Sequence, residues 1–172
     1  MEEALYRRLE ALGIKIVVKE HPPVFTVEQA KRLRGSIRGA HCKNLFLRDK
    51  KRNLFLLSCL EDREFELKSL RAPLGARAGV SFASPELLTD RLGVSPGAVT
   101  PFAIINDIPG GVRVALDEGF RQASLLNFHP LRNDRTVSIR PGDLERFLVD
   151  ADHSPIWVDF DRLAPSSRPL AE

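Results

Sequence analysis

Leu5, Leu9 and Leu12 recur at helical spacing among charged residues, so residues 2–12 read as an amphipathic helix closed by Gly13. The pattern changes at Ile14–Val18, a β-branched run that predicts the first strand and is broken by His21-Pro22-Pro23. Thr26 followed three residues later by Gln29 has the form of a capping box and predicts a short helix ending near Gly35. Ala40–Leu47 and Leu54–Leu60 are two strands joined by the polar tip Arg48–Asn53, a hairpin with a longer loop. Residues 64–71 predict a short helix. Ser84-Pro85 supplies an N-cap with proline at the first helical position, and that helix runs to Leu92 and stops at Gly93.

Gly93-Val94-Ser95-Pro96-Gly97-Ala98-Val99-Thr100-Pro101 then sets two glycines and two prolines into nine residues besides Val94, Ser95 and their apolar companions, ahead of the apolar run Phe102–Ile105. Gly97 can take φ > 0 and lets another group approach its backbone, while Pro101 biases Thr100 towards an extended conformation. One reading is a tight connection into a buried strand. The other is a loop that offers backbone N–H and C=O groups at fixed positions. Val112–Leu116, Ser124–Phe128 and Thr136–Ile139 are further strands. Pro141 opens the last substantial helix, where Leu144, Phe147, Leu148 and Ala151 share a face. Pro155–Phe160 either adds a short edge strand or packs back, and the tail (161–172) is expected to be poorly ordered. Strands interleaved irregularly with short helices argue a single α+β domain with a mixed β-sheet surrounded by helices.

Composition narrows the class. A length of 172 residues fits one domain, and 43% hydrophobic with 28% charged residues is ordinary for a soluble globular chain. No apolar run approaches the roughly 20 residues that span a bilayer. The acidic start Met1-Glu2-Glu3 leads into no signal-peptide core, and Cys42 and Cys59 are too few for a disulfide framework, so reduced thiols in the cytoplasm are expected. A net charge of +3 fits a phosphate-bearing partner without demanding one. Lys31, Arg32, Arg34 and Arg38 fall together and read equally well as a patch that tracks a nucleic-acid backbone or as a solvated helix end. Arg48, Lys50, Lys51 and Arg52 read better as a solvated hairpin tip.

The candidate chemistry starts with Lys43. In an extended strand it shares a face with Leu45 and Leu47, whereas Cys42, Asn44 and Phe46 take the other. Lysine between apolar neighbours is rarely buried without a partner or a task, although its stem can also snorkel to water. No paired-cysteine or His-Glu-x-x-His spacing is present, so neither a metal nor a cofactor is expected. The glycine spacing fits neither a phosphate loop nor a dinucleotide fingerprint. A cysteine nucleophile paired with His129 is the competing chemistry. Both cysteines lie in apolar strand contexts, where the residue behaves as a small hydrophobe.

Cys42-Lys43-Asn44-Leu45-Phe46-Leu47, the segment Gly97–Asn106, and Asn127-Phe128-His129-Pro130-Leu131 with Asn133 and Thr136 together resemble the YbaK-type aminoacyl-tRNA editing superfamily. The match lies towards its free-standing branch, similar to the bacterial prolyl-tRNA synthetase editing domain, which deacylates Ala-tRNA(Pro). It covers residues 1–160, which would form one editing domain acting in trans. The resemblance implies Lys43, Gly97 and His129 as catalytic residues, and Asn44, Thr100, Pro101 and Phe128 as substrate-binding residues. It also implies the acceptor end of tRNA(Pro) carrying alanine as partner, with transient contact to prolyl-tRNA synthetase, and no membrane or DNA.

An aminoacyl ester is already activated, so its hydrolysis needs an oriented water and a stabilised oxyanion rather than a covalent intermediate. Backbone N–H groups near Gly97 can supply the second requirement. Lys43 would hold a phosphate or the terminal ribose, or else position the water, and the ribose hydroxyl can assist. Two alternatives stand beside this one: an editing deacylase for Cys-, Ser- or Thr-charged tRNA, and a non-catalytic module that binds tRNA or synthetase.

Overall fold

A computed structural model describes residues 1–163 apart from Phe25 and Ser36, and apart from the side chains of Val27 and Arg34. The tail expected to be poorly ordered lies, from residue 164 onward, outside the described residues.

The helices begin and end where local chemistry predicts. The first, α1 (Glu2–Ala11), closes with the Gly13 N–H on the Glu10 carbonyl and the Ile14 N–H on the Leu9 carbonyl, Gly13 taking φ 68°. Ile14 is thereby drawn into the core, and the first strand, β1 (Val17–Glu20), starts later than its β-branched run suggests. At α2 (Val27–Arg34) both hydrogen bonds of the capping box between Thr26 and Gln29 are present. Ser84 caps α3 (Pro85–Leu92), and Gly93 ends it in the left-handed conformation. The last helix, α4 (Pro141–Asp150), buries Leu144, Phe147 and Leu148.

The remaining strands are β2 (Ala40–Asp49), β3 (Leu54–Leu60), β4 (Val80–Phe82), β5 (Val112–Asp117), β6 (Leu126–Phe128), β7 (Arg135–Ile139) and β8 (Ile156–Val158). They form one mixed sheet in the order β1-β7-β6-β2-β3-β5-β8, with β4 paired to β2. At its centre β2 runs antiparallel to β3 along most of its length, parallel to β6 at its start and antiparallel to β4 at its end. The register sets Lys43 opposite Cys59 and Asn44 opposite Ser58.

Both faces of this sheet are covered, which is why β3 is apolar and buried almost throughout. Residues of α1, α3 and α4 pack with Phe46, Leu56 and Val114 into the larger core. Leu47, Phe55, Leu57 and Cys59 look the other way, onto Phe65, Leu70, Leu74 and Phe160. That second layer is irregular. The helix expected over 64–71 is a single 3-10 turn, Leu67–Leu70.

Two elements depart from the sequence pattern. The apolar run after Pro101 is a 3-10 helix, Pro101–Asn106, and not a strand. Thr100 is extended, as proline at 101 requires, and its hydroxyl accepts from the Phe102 N–H, which starts the turn. Asn106 closes the segment by donating to the Leu92 carbonyl at the end of α3. Pairing with β2 creates β4, whose three residues are too short for periodicity to reveal.

Candidate active site

Parallel pairing of β2 with β6 brings the Lys43 region and the His129 region of the sequence side by side, with Ala40 opposite Leu126 and His41 opposite Asn127. A cavity of about 120 Å³ opens over this junction. His41, Cys42 and Asn44 of β2, and Asn127 and Phe128 of β6, form its floor. His129 and Thr136 close one side, Glu61 stands just beyond the end of β3, and Ala30 and Leu33 of α2 with Val24 and Ile37 lie across the top.

Every polar group on the floor with a recorded partner is held in place. Asn44 Oδ1 accepts from the Ser58 hydroxyl at 2.6 Å. The Asn127 amide donates to the Arg38 carbonyl, and its oxygen accepts from the Ser138 hydroxyl. His129 Nδ1 lies 2.9 Å from the Arg135 carbonyl, so the proton belongs on Nδ1 and Nε2 is left as the acceptor of the neutral ring. Burial pushes the His129 pKa below its ordinary value. The nearby His21 adds to that shift, and the Arg135 carbonyl only partly offsets it. The two histidine rings are 6.2 Å apart, and His21 spans the Pro22 carbonyl and the Thr136 hydroxyl.

The thiols have the opposite character. Burial holds Cys42, on the cavity floor, far above the ordinary thiol range, and raises Cys59 to about 12. Neither is a thiolate at neutral pH, so neither is prepared as a nucleophile.

Of the residues expected at the site, Asn44, Phe128 and His129 line the cavity. Lys43 does not. Strand alternation turns it onto the face of Leu45, Leu47 and Cys59, where its ammonium donates to the Arg63 carbonyl and sits 5.1 Å from the centre of the Phe65 ring. None of the loop residues lines the cavity. Thr100 and Pro101 are buried, the first as a cap and the second in the core. Gly97 is exposed, its φ is not positive, and a Cβ there would meet only the Asn133 amide, at 3.9 Å. Neither backbone conformation nor packing within the chain therefore calls for glycine at 97. The loop reaches the cavity rim through Asn133, whose carbonyl accepts from the N–H of Val24.

His21, His41, Glu61, Asn127 and Thr136 are cavity or cavity-side residues that the sequence reading does not single out. Asn127 and Thr136 do lie within the motif around His129. Glu61 opens the charged stretch Glu61-Asp62-Arg63-Glu64, which reads as an ordinary solvated turn. No cluster of three or more potential metal ligands occurs among the described residues.

The aminoacyl-tRNA editing domain family matches residues 21–147, and the chain belongs to it. Among individual proteins, the chain is similar to the prolyl-tRNA synthetase associated domain-containing protein 1 of Bos taurus, with 38% identity over 94% of this chain and 96% of the relative. It is also similar to the prolyl-tRNA editing protein ProX of Acetoanaerobium sticklandii, with 34% identity over 86% of this chain and 90% of that one. The fold matches the crystal structure of a candidate trans-editing enzyme for prolyl-tRNA synthetase with a TM-score of 0.67 and 19% identity, over 96% of this chain and 97% of the other.

Proposed function

We propose that this protein is a cytoplasmic trans-editing hydrolase that deacylates Ala-tRNA(Pro), releasing alanine and free tRNA(Pro). The observation that carries the reading is the 120 Å³ cavity, floored by Asn44 and Phe128 and edged by a neutral His129, in a chain of the aminoacyl-tRNA editing family. A space of that size suits a short aminoacyl group. A synthetic site shaped for proline cannot strongly exclude the smaller alanine, so a separate narrow cavity is the expected remedy.

In this mechanism His129 Nε2 accepts a hydrogen bond from the attacking water or from the ribose hydroxyl that assists it. The water adds to the ester carbonyl as its proton passes to Nε2, directly or through the ribose hydroxyl; the oxyanion is stabilised by donors at the site, and as the C–O bond breaks that proton is delivered to the leaving ribose oxygen. Backbone N–H groups of the Gly97 loop are the candidate oxyanion donors; none of Gly97–Pro101 lines the cavity, so this role requires the exposed loop to move towards the bound ester. Lys43 enters in one of two ways. It anchors the tRNA end, which requires its ammonium to leave the Arg63 carbonyl, or it acts from where it sits by fixing the turn that carries Glu61.

Purified protein assayed against Ala-, Cys-, Ser- and Pro-charged tRNA(Pro) tests the proposal. Fast release of alanine with Pro-tRNA(Pro) spared is the expected result. Preference for another amino acid replaces the specificity, and binding without hydrolysis of any ester replaces the enzyme with a binding module.

A further inference from the structure

His21 and His129 are held in the same way, with ring centroids 6.2 Å apart. His129 Nδ1 meets the Arg135 carbonyl at 2.9 Å, and His21 Nδ1 meets the Pro22 carbonyl at 2.9 Å. A carbonyl can only accept, so in both neutral rings Nδ1 carries the proton and Nε2 is the acceptor. His21 Nε2 lies 2.9 Å from the Thr136 hydroxyl, which therefore donates to it. A hydroxyl has one proton. With that proton given to His21, the Thr136 oxygen can only accept from a group that enters the cavity it lines. The backbone fixes this arrangement. Strand β1 pairs Glu20 with Arg135, and the His21 N–H extends the ladder onto the Asp134 carbonyl at 3.0 Å. Between β6 and β7, Asn127 pairs with Ser138 and accepts from its hydroxyl at 2.6 Å. Two residues on from this pair, on the same face, stand His129 and Thr136, which sets two acceptors side by side at the cavity edge.

We propose that Thr136 is a further catalytic residue that holds the attacking water together with His129, and that His21 is the positioning residue that makes the Thr136 hydroxyl an acceptor. The proposal rests on the deacylase reading. A water that gives one proton to His129 Nε2 and the other to Thr136 Oγ1 turns its lone pairs away from both, towards the ester carbonyl. As the new C–O bond forms, the proton facing His129 passes to Nε2 and the one facing Thr136 stays on the oxygen. The first then goes to the leaving ribose oxygen, and the second is lost to solvent from the alanine carboxyl.

The test is single-turnover hydrolysis of Ala-tRNA(Pro) by the unmodified protein, Thr136→Val, Thr136→Ser, His21→Phe and the double variant His21→Phe/Thr136→Val. Thr136→Val keeps the shape and removes the acceptor, so the rate should fall about 5- to 10-fold, the worth of one neutral hydrogen bond, with tRNA(Pro) affinity unchanged. Thr136→Ser should restore most of that rate. His21→Phe frees the hydroxyl to turn and should lose about 2- to 5-fold, whereas the double variant should be no slower than Thr136→Val. An undiminished rate in Thr136→Val, a loss carried by tRNA(Pro) affinity, or a double variant slowed by the product of the two factors overturns the proposal. A second measurement needs no turnover: ring-nitrogen NMR at neutral pH should show His21 protonated at Nδ1 alone. A proton on His21 Nε2 would make Thr136 the acceptor there, turn its own O–H into the cavity, and overturn the assignment. If no ester is hydrolysed the deacylase reading falls with the water-holding role, and the tautomer alone decides the His21–Thr136 assignment.

Discussion

Phe102 and Phe128 meet edge to face, with ring centroids 6.0 Å apart and planes at 83°. Phe102 follows the Gly97–Pro101 loop and Phe128 forms part of the cavity floor, so this pair joins the two segments beneath the site. Phe102 also meets Phe147 of α4, and Phe128 meets Phe120, in the same geometry. Phe128 therefore ties the cavity floor to an aromatic cluster within the larger core.

Phe128→Ala should open the cavity towards that core. Deletion of a buried phenylalanine costs about 3–5 kcal/mol, seen as a fall in the denaturation midpoint, while residual folded protein should hydrolyse bulkier aminoacyl groups relative to alanine. Phe128→Leu should keep most of the stability and of the alanine preference. A ratio of Ser- to Ala-tRNA hydrolysis that is the same in Phe128→Ala as in the unmodified protein would remove Phe128 from the specificity wall.

Cys42→Ser and Cys59→Ser separate packing from chemistry. Both thiols are held protonated by burial, so a water-based hydrolysis should survive each substitution. Cys59 is fully buried, and a hydroxyl there should lower stability by about 1–3 kcal/mol if it finds no partner. Loss of all turnover in a well-folded variant would require a covalent acyl-enzyme instead.

Much of the architecture is written locally. Thr26 with Gln29, Ser84 with Pro85, and Gly13 and Gly93 mark helix ends through hydrogen bonds a few residues long, and the β2–β3 hairpin follows from two apolar runs around a polar tip. The 3-10 helix over Pro101–Asn106 was not legible, because a short apolar run cannot tell a strand from a buried turn; the Thr100 cap and the Asn106 bond to Leu92 decide it. The site is legible only in part. Asn44 and Phe128-His129 belong to motifs and do line the cavity, but Glu61 sits among charged neighbours that look alike. Alternation sets Lys43 on the face opposite Asn44, where its ammonium is taken by the Arg63 carbonyl beside Phe65, so the motif's two polar residues serve different faces of the sheet.

Asp107 tests the far side of the larger core. Its buried carboxylate accepts from His153 Nε2, from Arg91 and from the Val112 N–H, all at 2.8–2.9 Å. Burial opposes the charge, but these bonds outweigh it and hold the carboxyl below its ordinary range. A depressed carboxylate pKa stabilises the fold above the unfolded value near 3.8, and that contribution is lost as pH falls below it. Asp107→Ala should cost about 3–5 kcal/mol at neutral pH, since it strands buried partners, and should flatten the acid limb of the stability profile. An unchanged melting temperature would contradict this account.

His129 predicts a pH profile. With its pKa below 6.5, the neutral ring that accepts at Nε2 is present at pH 7 and is lost on acidification through that lowered value. The single-turnover rate should be flat around neutrality and fall on the acid side with a midpoint below 6.5. His129→Ala should lose about 100-fold or more and lack that limb. The same depressed pKa means that the His129 contribution to stability is present above 6.5 and declines as pH falls below it. An acid limb of the same midpoint in His129→Ala would assign it to another group.

Lys43 decides between anchoring the tRNA end and fixing the Glu61 turn. In both cases Lys43→Ala should slow Ala-tRNA(Pro) hydrolysis, by on the order of 100-fold if a reacting group shifts by about 1 Å. Lys43→Arg should restore little, because a planar guanidinium does not reproduce the compact ammonium that donates to the Arg63 carbonyl beside Phe65. The two roles part company in tRNA(Pro) affinity. An anchor for ribose or phosphate contributes to binding, so its loss should weaken tRNA(Pro) affinity together with the rate. A brace for the turn acts through the shape of the site, so its loss should slow hydrolysis and leave affinity nearly unchanged. Lys43 sits on the far face of β2 with its ammonium already engaged, which favours the brace. The expected result is a slowed reaction with tRNA(Pro) affinity nearly unchanged. Weakened tRNA(Pro) binding would show that the ammonium leaves Arg63 to reach the substrate.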